Sequence, residues 1–271
     1  MLYYPSAMNY RLGWVRDLAD FRDFRPRAVE IKSTSKIKVD LRPHMGPVQD
    51  QGDLGSCTAH AALAIMSYYQ RKTFNKSVDL SRLFLYKVTR NLAKKRGDVG
   101  AELRTTMQAL VMFGAPPEEY MPYDIVKFDL EPTAFMYGLA DDFKATTYVR
   151  HDHVGVSPDT TLSSIKQSLE KEIPVMFGMT VYKSFPGIGA ADDHSGVIPY
   201  PTSKDRVDGG HAMVLVGYDD AKNSFLVRNS WGPNWGDHGY GWLPYKFVTS
   251  GIASDFWSLL TADFTDIALF A

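Results

Sequence analysis

The chain of 271 residues holds a single cysteine, Cys57. One cysteine cannot form an intramolecular disulfide, so no covalent staple supports the fold. No run approaches the 18 or so consecutive apolar residues of a membrane-spanning helix. The first residues, MLYYPSAMNYRLGWVRDLADF, lack the basic start and apolar run of a secretory signal. A net charge of −1 builds no field for nucleic acid or an anionic membrane surface. The glycines of FPGIGA have no phosphate-loop lysine after them, which argues against a nucleotide site. His151 and His153 in RHDHVG alternate as on a strand and read as solvent-facing, so no metal and no cofactor is expected. Internal repeats and low-complexity tracts are absent too, and the expected compartment is the cytoplasm.

The N-terminal stretch stands apart in composition. Residues 1–37 carry seven Lys/Arg and four acids, with Tyr3, Tyr4, Tyr10, Trp14, Phe21 and Phe24. So many aromatics do not suit a solvated tail. Pro5 and Pro26 argue against one long helix there, and KSTSKIK reads as a linker. Residues 1–37 are therefore an extension, and residues 38–271 the main domain. Its first part, about 50–145, reads helical. SCTAHAALAIMSYYQRK is apolar almost all round, as in a buried helix, with Ser56 where an N-cap belongs. DLSRLFLYKVTRNLAKK offers Ser81 as a cap. GAELRTTMQALVMFG stops at Gly114, a C′ glycine, and Asp159 is a cap candidate for TTLSSIKQSLEKE. The second part, about 146–271, turns to strands: IPVMFGMTVY, HAMVLVGY, SFLVRNSW and GYGWLPY. Helices first and strands later predict an α+β fold in two lobes. A site between such lobes draws on both halves.

Three segments carry chemistry. In QGDLGSCTAHAALA, Cys57 falls in the first turn of a helix, where the helix dipole and unpaired N–H groups favour a thiolate. In DGGHAMVLVGY, His211 opens an apolar strand, and Gly209 and Gly210 allow another segment to approach closely. In VRNSWGPNWGDHGYGW, Asn229 ends the next strand, 18 residues after His211. An adjacent antiparallel strand brings its carbonyl to one imidazole nitrogen and leaves the other for the thiol. Gln51, six residues before Cys57, can aim an amide N–H at an oxyanion, with the Cys57 N–H as second donor.

These blocks, PVQDQGDLGSCTA, GGHAMVLVGYD and VRNSWGPNWGDHGYGWLPY, resemble the signature blocks of the papain-like cysteine peptidases, in the same chain order. The likeness covers about residues 38–271. The separation of 154 residues between Cys57 and His211 slightly exceeds the family's usual ~130–150. The resemblance implies a papain-like two-lobe fold: a helical lobe, an antiparallel barrel-like β lobe and a cleft between them. It implies Cys57 as nucleophile, His211 as base and acid, Asn229 as orienter and Gln51 as oxyanion donor, with Trp231 shielding the His–Asn contact. Leu54 and Thr58 depart from the local C-G-[SA]-C-[WY] pattern. Losing the first cysteine fits a bacterial-type member without disulfides.

Substrate contacts are expected at Asp98 and Gly100, in a glycine-rich edge that pairs with the substrate backbone. Ala212, Val175 and Met176 are expected around an apolar subsite beside the catalytic pair. Asp255 is the alternative that makes this subsite prefer a basic residue. His60 reads as packing or surface, and Trp235 and Trp242 as core. The loop of residues 183–208 is either a cleft-blocking exopeptidase loop or a surface excursion. The extension is either a strap on the back of the domain or a short inhibitory prosegment. The expected partners are peptide or protein substrates. A transpeptidase or ligase using the same residues, and an inactive binding scaffold, are the alternatives to a peptidase.

Overall fold

The computed structural model describes residues 10–25, 35–192 and 194–260. Tyr3, Tyr4, Pro5, Pro26 and the start of the KSTSKIK linker lie outside them. The elements in chain order are β1 (Trp14–Val15), β2 (Lys38–Asp40), α1 (Cys57–Phe74), α2 (Arg82–Leu92), β3 (Ala101–Glu102), α3 (Leu103–Met112), α4 (Ala134–Ala140), β4 (Thr147–Arg150), α5 (Pro158–Glu170), β5 (Val175–Tyr182), β6 (Val207–Asp219), β7 (Ser224–Arg228), β8 (Tyr240–Pro244), α6 (Lys246–Thr249) and β9 (Ala253–Leu260). The α+β class stands, with helices dominating the first half and strands the second.

The first lobe is built on α1. Ala59, Ala62, Ile65, Met66 and Tyr69 of this helix are essentially inaccessible. Ser56 precedes the helix but makes no side-chain cap bond; its hydroxyl pairs instead with Tyr123 Oη at 2.7 Å. Ser81 Oγ accepts from Phe84 N at 3.1 Å and caps α2 as expected. Gly114 follows α3 at φ +73°, and a side chain there would meet the Ala140 carbonyl. The cap of α5 is Ser157, whose Oγ accepts from Thr160 N, rather than Asp159. Pro158 at the first helical position fixes the start two residues earlier than a cap at Asp159 allows.

The second lobe is one sheet in the order β4-β9-β5-β6-β7-β8, with β2 paired to β6. These pairs are antiparallel throughout. Among the described residues the end strands β4 and β8 do not pair, so the barrel-like expectation resolves into an unclosed sheet. The main domain enters the sheet at Lys38 through β2, where the composition changes.

Residues 10–17 of the extension do not lie on the back. β1 pairs in parallel with β3, Trp14 opposite Ala101 and Val15 opposite Glu102. Trp14 also packs on β5 and β6. The segment therefore crosses the line where the two lobes meet.

Candidate active site

Cys57 is the first residue of α1, and His211 and Asn229 come from β6 and the end of β7. His211 Nε2 lies 2.7 Å from Asn229 Oδ1. That oxygen also accepts from Ser230 N at 2.8 Å, which fixes it as the carbonyl end of the amide. His211 Nε2 is then the protonated nitrogen and Nδ1 the bare one. Nδ1 is buried and has no hydrogen-bond partner. Trp231 stacks on the imidazole at 4.6 Å between centroids, covering the His–Asn contact.

Gln51 is fully buried. Ser230 Oγ donates to Gln51 Oε1 at 2.6 Å, which turns the Gln51 amide N–H groups outward. One donates to Leu54 O and the other to Arg11 O, each at 2.9 Å. A carbonyl oxygen of the extension thus sits on the donor that the chemistry assigns to an oxyanion. Ser230 is the supporting residue sequence reasoning missed.

The segment of residues 10–17 fills the cleft. Tyr10 lies flat on Trp231, with 4.4 Å between ring centroids and 2° between planes. Arg11 Nε pairs with Asp98 Oδ2 at 2.5 Å. Gly13 approaches Gly55 and Gly100 so closely that no side chain fits between them, and its carbonyl accepts from Ala101 N at 2.8 Å. The backbone N–H groups of Ala212, Gly13, Thr58 and Cys57 itself pull the Cys57 thiol down. Further along, Asp17 N donates to Asp255 Oδ2 at 2.8 Å and Trp257 Nε1 donates to Asp17 Oδ2 at 2.9 Å. Arg104 Nε holds Asp23 Oδ1 at 2.7 Å.

This burial sets the protonation states. Cys57 and His211 are both inaccessible. Burial pushes the Cys57 thiol up to about 11, against the pull of the surrounding N–H groups. Burial pulls His211 down to about 4, only partly opposed by Asn229. At neutral pH the site therefore holds a thiol and a neutral imidazole, not an ion pair.

The expected substrate-contact residues divide. Gly100 lies against residue 13 and Trp231 forms one wall of the cleft, while Ala212 lies opposite Gly178 on β6. Asp98 supports the edge from behind, accepting from Gly55 N and Tyr86 Oη. Val175 and Met176 lie fully buried opposite Leu215 and Val214. The β5 residue in contact with the segment is Gly178, and Met176, two residues before it, shares its face of the strand. Asp255 does reach it, but Arg150 Nη2 already binds its Oδ1 at 2.7 Å. His60 is buried, with Nδ1 on Ser56 O at 3.1 Å. His151 is buried rather than solvent-facing, and its ring nitrogens meet Ser164 Oγ and Ser258 Oγ. Trp235 is core, as expected, whereas Trp242 is half-buried under Lys222. The 183–208 loop packs Phe185 against Trp231 and Trp235.

Comparison with known proteins agrees with this geometry. The family model for papain family cysteine proteases matches residues 36–259. An uncharacterized peptidase C1-like protein, L477, of Acanthamoeba polyphaga mimivirus is 33% identical over 93% of this chain and 87% of its own length. Cathepsin B-like CP3 of Giardia intestinalis is 32% identical over 79% of this chain and 71% of its own. Among solved structures, xylellain, a cysteine protease from Xylella fastidiosa, superimposes with a TM-score of 0.79 at 33% identity, covering 97% of this chain and 99% of its own. The fold and the site define a papain-like cysteine protease. The chain belongs to the papain family.

Proposed function

We propose that the protein is a peptide-bond hydrolase built on a Cys57–His211–Asn229 triad and held latent by residues 10–17. The observation that carries this reading is the Arg11 carbonyl on Gln51 Nε2, beside a Cys57 and a His211 that are both inaccessible. The oxyanion donor is occupied and the nucleophile is covered, so the segment closes the cleft.

Once the segment leaves, water re-enters and the penalty on charged forms falls. The thiol proton passes to His211 Nδ1, and Sγ attacks the substrate carbonyl carbon. Gln51 Nε2 and the Cys57 N–H receive the oxyanion. His211 then gives the Nδ1 proton to the leaving amine, and a thioester remains on Cys57. His211 next takes a proton from water, whose oxygen attacks the thioester and releases the acid. Asn229 keeps the ring oriented by accepting from Nε2.

A peptidyl p-nitrophenyl ester tests this chemistry in the full chain carrying Trp14→Ala. The expected result is a transient acyl mass on Cys57 that water removes, with no adduct in the Cys57→Ala version. Acylation that persists in water, or passes only to an added amine, would replace hydrolysis by acyl transfer.

A further inference from the structure

A crevice of about 40 Å³ lies between α1 and the strands β6 and β7. From α1 it takes His60, Ala64 and Ser67, a stripe spaced four and three residues apart and so on one face of the helix. Asn229 lines it from the other lobe, and Arg82 from the start of α2. None of residues 10–17 lines it, so it is separate from the cleft that the segment fills. Three nitrogens of its lining residues are buried and unpartnered among the described residues: His60 Nε2, Asn229 Nδ2 and Arg82 Nε. Those residues are 5%, 3% and 9% exposed. Each nitrogen has an assignable role. His60 Nδ1 donates to Ser56 O at 3.1 Å. Burial, with Arg82 nearby, pulls His60 down to about 3, so the ring is neutral and its Nε2 is a bare acceptor. Asn229 Oδ1 already accepts from His211 and from Ser230 N, so Nδ2 is the donor end. Arg82 Nε donates as well, while its Nη2 is held by Glu118 Oε1 at 2.8 Å.

Two donors and one acceptor around such a space complement a water molecule. A buried water needs roughly 10–15 Å³ and two to four polar partners; the crevice offers about 40 Å³ and three. An anion would suit the two donors but meet the bare His60 nitrogen. His60 Nε2 and Asn229 Nδ2 both lack a partner, so no direct hydrogen bond joins them. We propose that an ordered water in this crevice accepts from Asn229 Nδ2 and Arg82 Nε and donates to His60 Nε2, which makes His60 a positioning residue for the triad. The Asn229 amide is then fixed at both ends, its oxygen by His211 and Ser230 and its nitrogen by His60 through the water. Turning that amide over would set an N–H against the His211 Nε2–H, and the water link opposes the turn. An apolar side chain at position 60 would fill the space and break the link. The positioning role rests on the peptidase reading above, whereas the water site does not.

The test has two parts, both on the full chain. A high-resolution crystal structure of the wild type, grown in sodium bromide, shows what the crevice holds. The expected result is a water within about 3.2 Å of both Asn229 Nδ2 and His60 Nε2, with no anomalous bromide signal there. A bromide peak, a direct His60–Asn229 hydrogen bond or a dry crevice would overturn the proposal. Kinetics and proton NMR then compare Trp14→Ala alone with Trp14→Ala carrying His60→Phe or His60→Gln. Phenylalanine keeps the ring's volume without an acceptor, and glutamine returns an acceptor near the Nε2 position. His60→Phe should lower kcat about three- to tenfold with KM unchanged. It should also speed solvent exchange of the His211 Nε2–H proton by a similar factor, and His60→Gln should restore both. Unchanged kcat and exchange in His60→Phe, or a His60→Gln no better than His60→Phe, would end the positioning role. His60→Leu replaces His60→Phe if that variant does not fold. Absence of turnover in Trp14→Ala itself would sink the hydrolase reading. Proton exchange needs no substrate and would still decide what His60 holds.

Discussion

Replacing Trp14 by alanine should open the cleft, and the size of the effect can be worked from the structure. A buried tryptophan hides roughly 150–250 Å², and Trp14 is only 9% exposed. At about 25 cal/mol per Å² of apolar surface, this contributes roughly 4–6 kcal/mol to seating the segment. The buried, unpartnered Nε1 offsets about 1–3 kcal/mol of that. Alanine keeps the backbone contacts and a methyl group. A net loss of about 2–3 kcal/mol is left, and each 1.4 kcal/mol is tenfold in an equilibrium constant. The open fraction should therefore rise roughly 30- to 150-fold. The assay is the second-order rate of Cys57 alkylation by iodoacetamide at pH 7.5, read by mass spectrometry. In the wild type the thiol is buried and pushed up to about 11, so the rate reports opening. A rise of less than about threefold in Trp14→Ala would mean that the indole does not hold the segment, and the reasoning would fail.

Other consequences follow from the same contacts. Gln51→Ala removes one oxyanion donor and should lower kcat by roughly 10²–10³ in the opened protein, with little change in KM. Burial raises Asp17 to about 6, and burial together with repulsion from Asp17 raises Asp255 to about 7. Carboxyls raised in the closed form bind protons more tightly there. Their contribution is complete below the ordinary carboxylate value and is lost as pH climbs through 6 to 7. Seating of the segment should weaken over that window, so Cys57 alkylation, corrected for thiol ionisation against a free peptide, should be faster at pH 8 than at pH 5. Arg150 is buried and faces Asp23, Asp152 and Asp255. Arg150→Met strands these carboxylates and should cost about 3–5 kcal/mol, read as a drop in Tm and in the urea midpoint.

Much of the site was legible in the sequence because its chemistry is local. Cys57 at a helix start, His211 at a strand mouth and Asn229 in NSWG were each readable from their neighbours. The paired strands then bring His211 and Asn229 to 2.7 Å. The Gly209–Gly210 pair signalled a close approach, and the approaching residues are Leu12 and Trp14. What sequence could not give depends on register or on distant contacts. VMFGMTVY is nearly all apolar, so it has no period to show which face meets the segment. Gly178, with no side chain to notice, was passed over, although it shares its face with Met176. Asp255 is itself left-handed, at φ +56°, within a shift in the β5–β9 register. The placement of the extension rests on pairs such as Tyr10 with Trp231 and Asp17 with Trp257, 221 and 240 residues apart. No local pattern encodes those, which is why strap and inhibitory segment read alike beforehand.

The central claim is that an intact peptidase site is closed by its own chain. The most direct measurement is hydrolysis of a fluorogenic peptide mixture under reducing conditions. It would be run on wild type, Trp14→Ala and Trp14→Ala/Cys57→Ala at equal concentrations of folded full chain. The account predicts slow turnover by the wild type, turnover at least about tenfold faster in Trp14→Ala, and none once Cys57 is removed. A wild type as active as Trp14→Ala would contradict latency. Activity surviving Cys57→Ala would contradict the site itself.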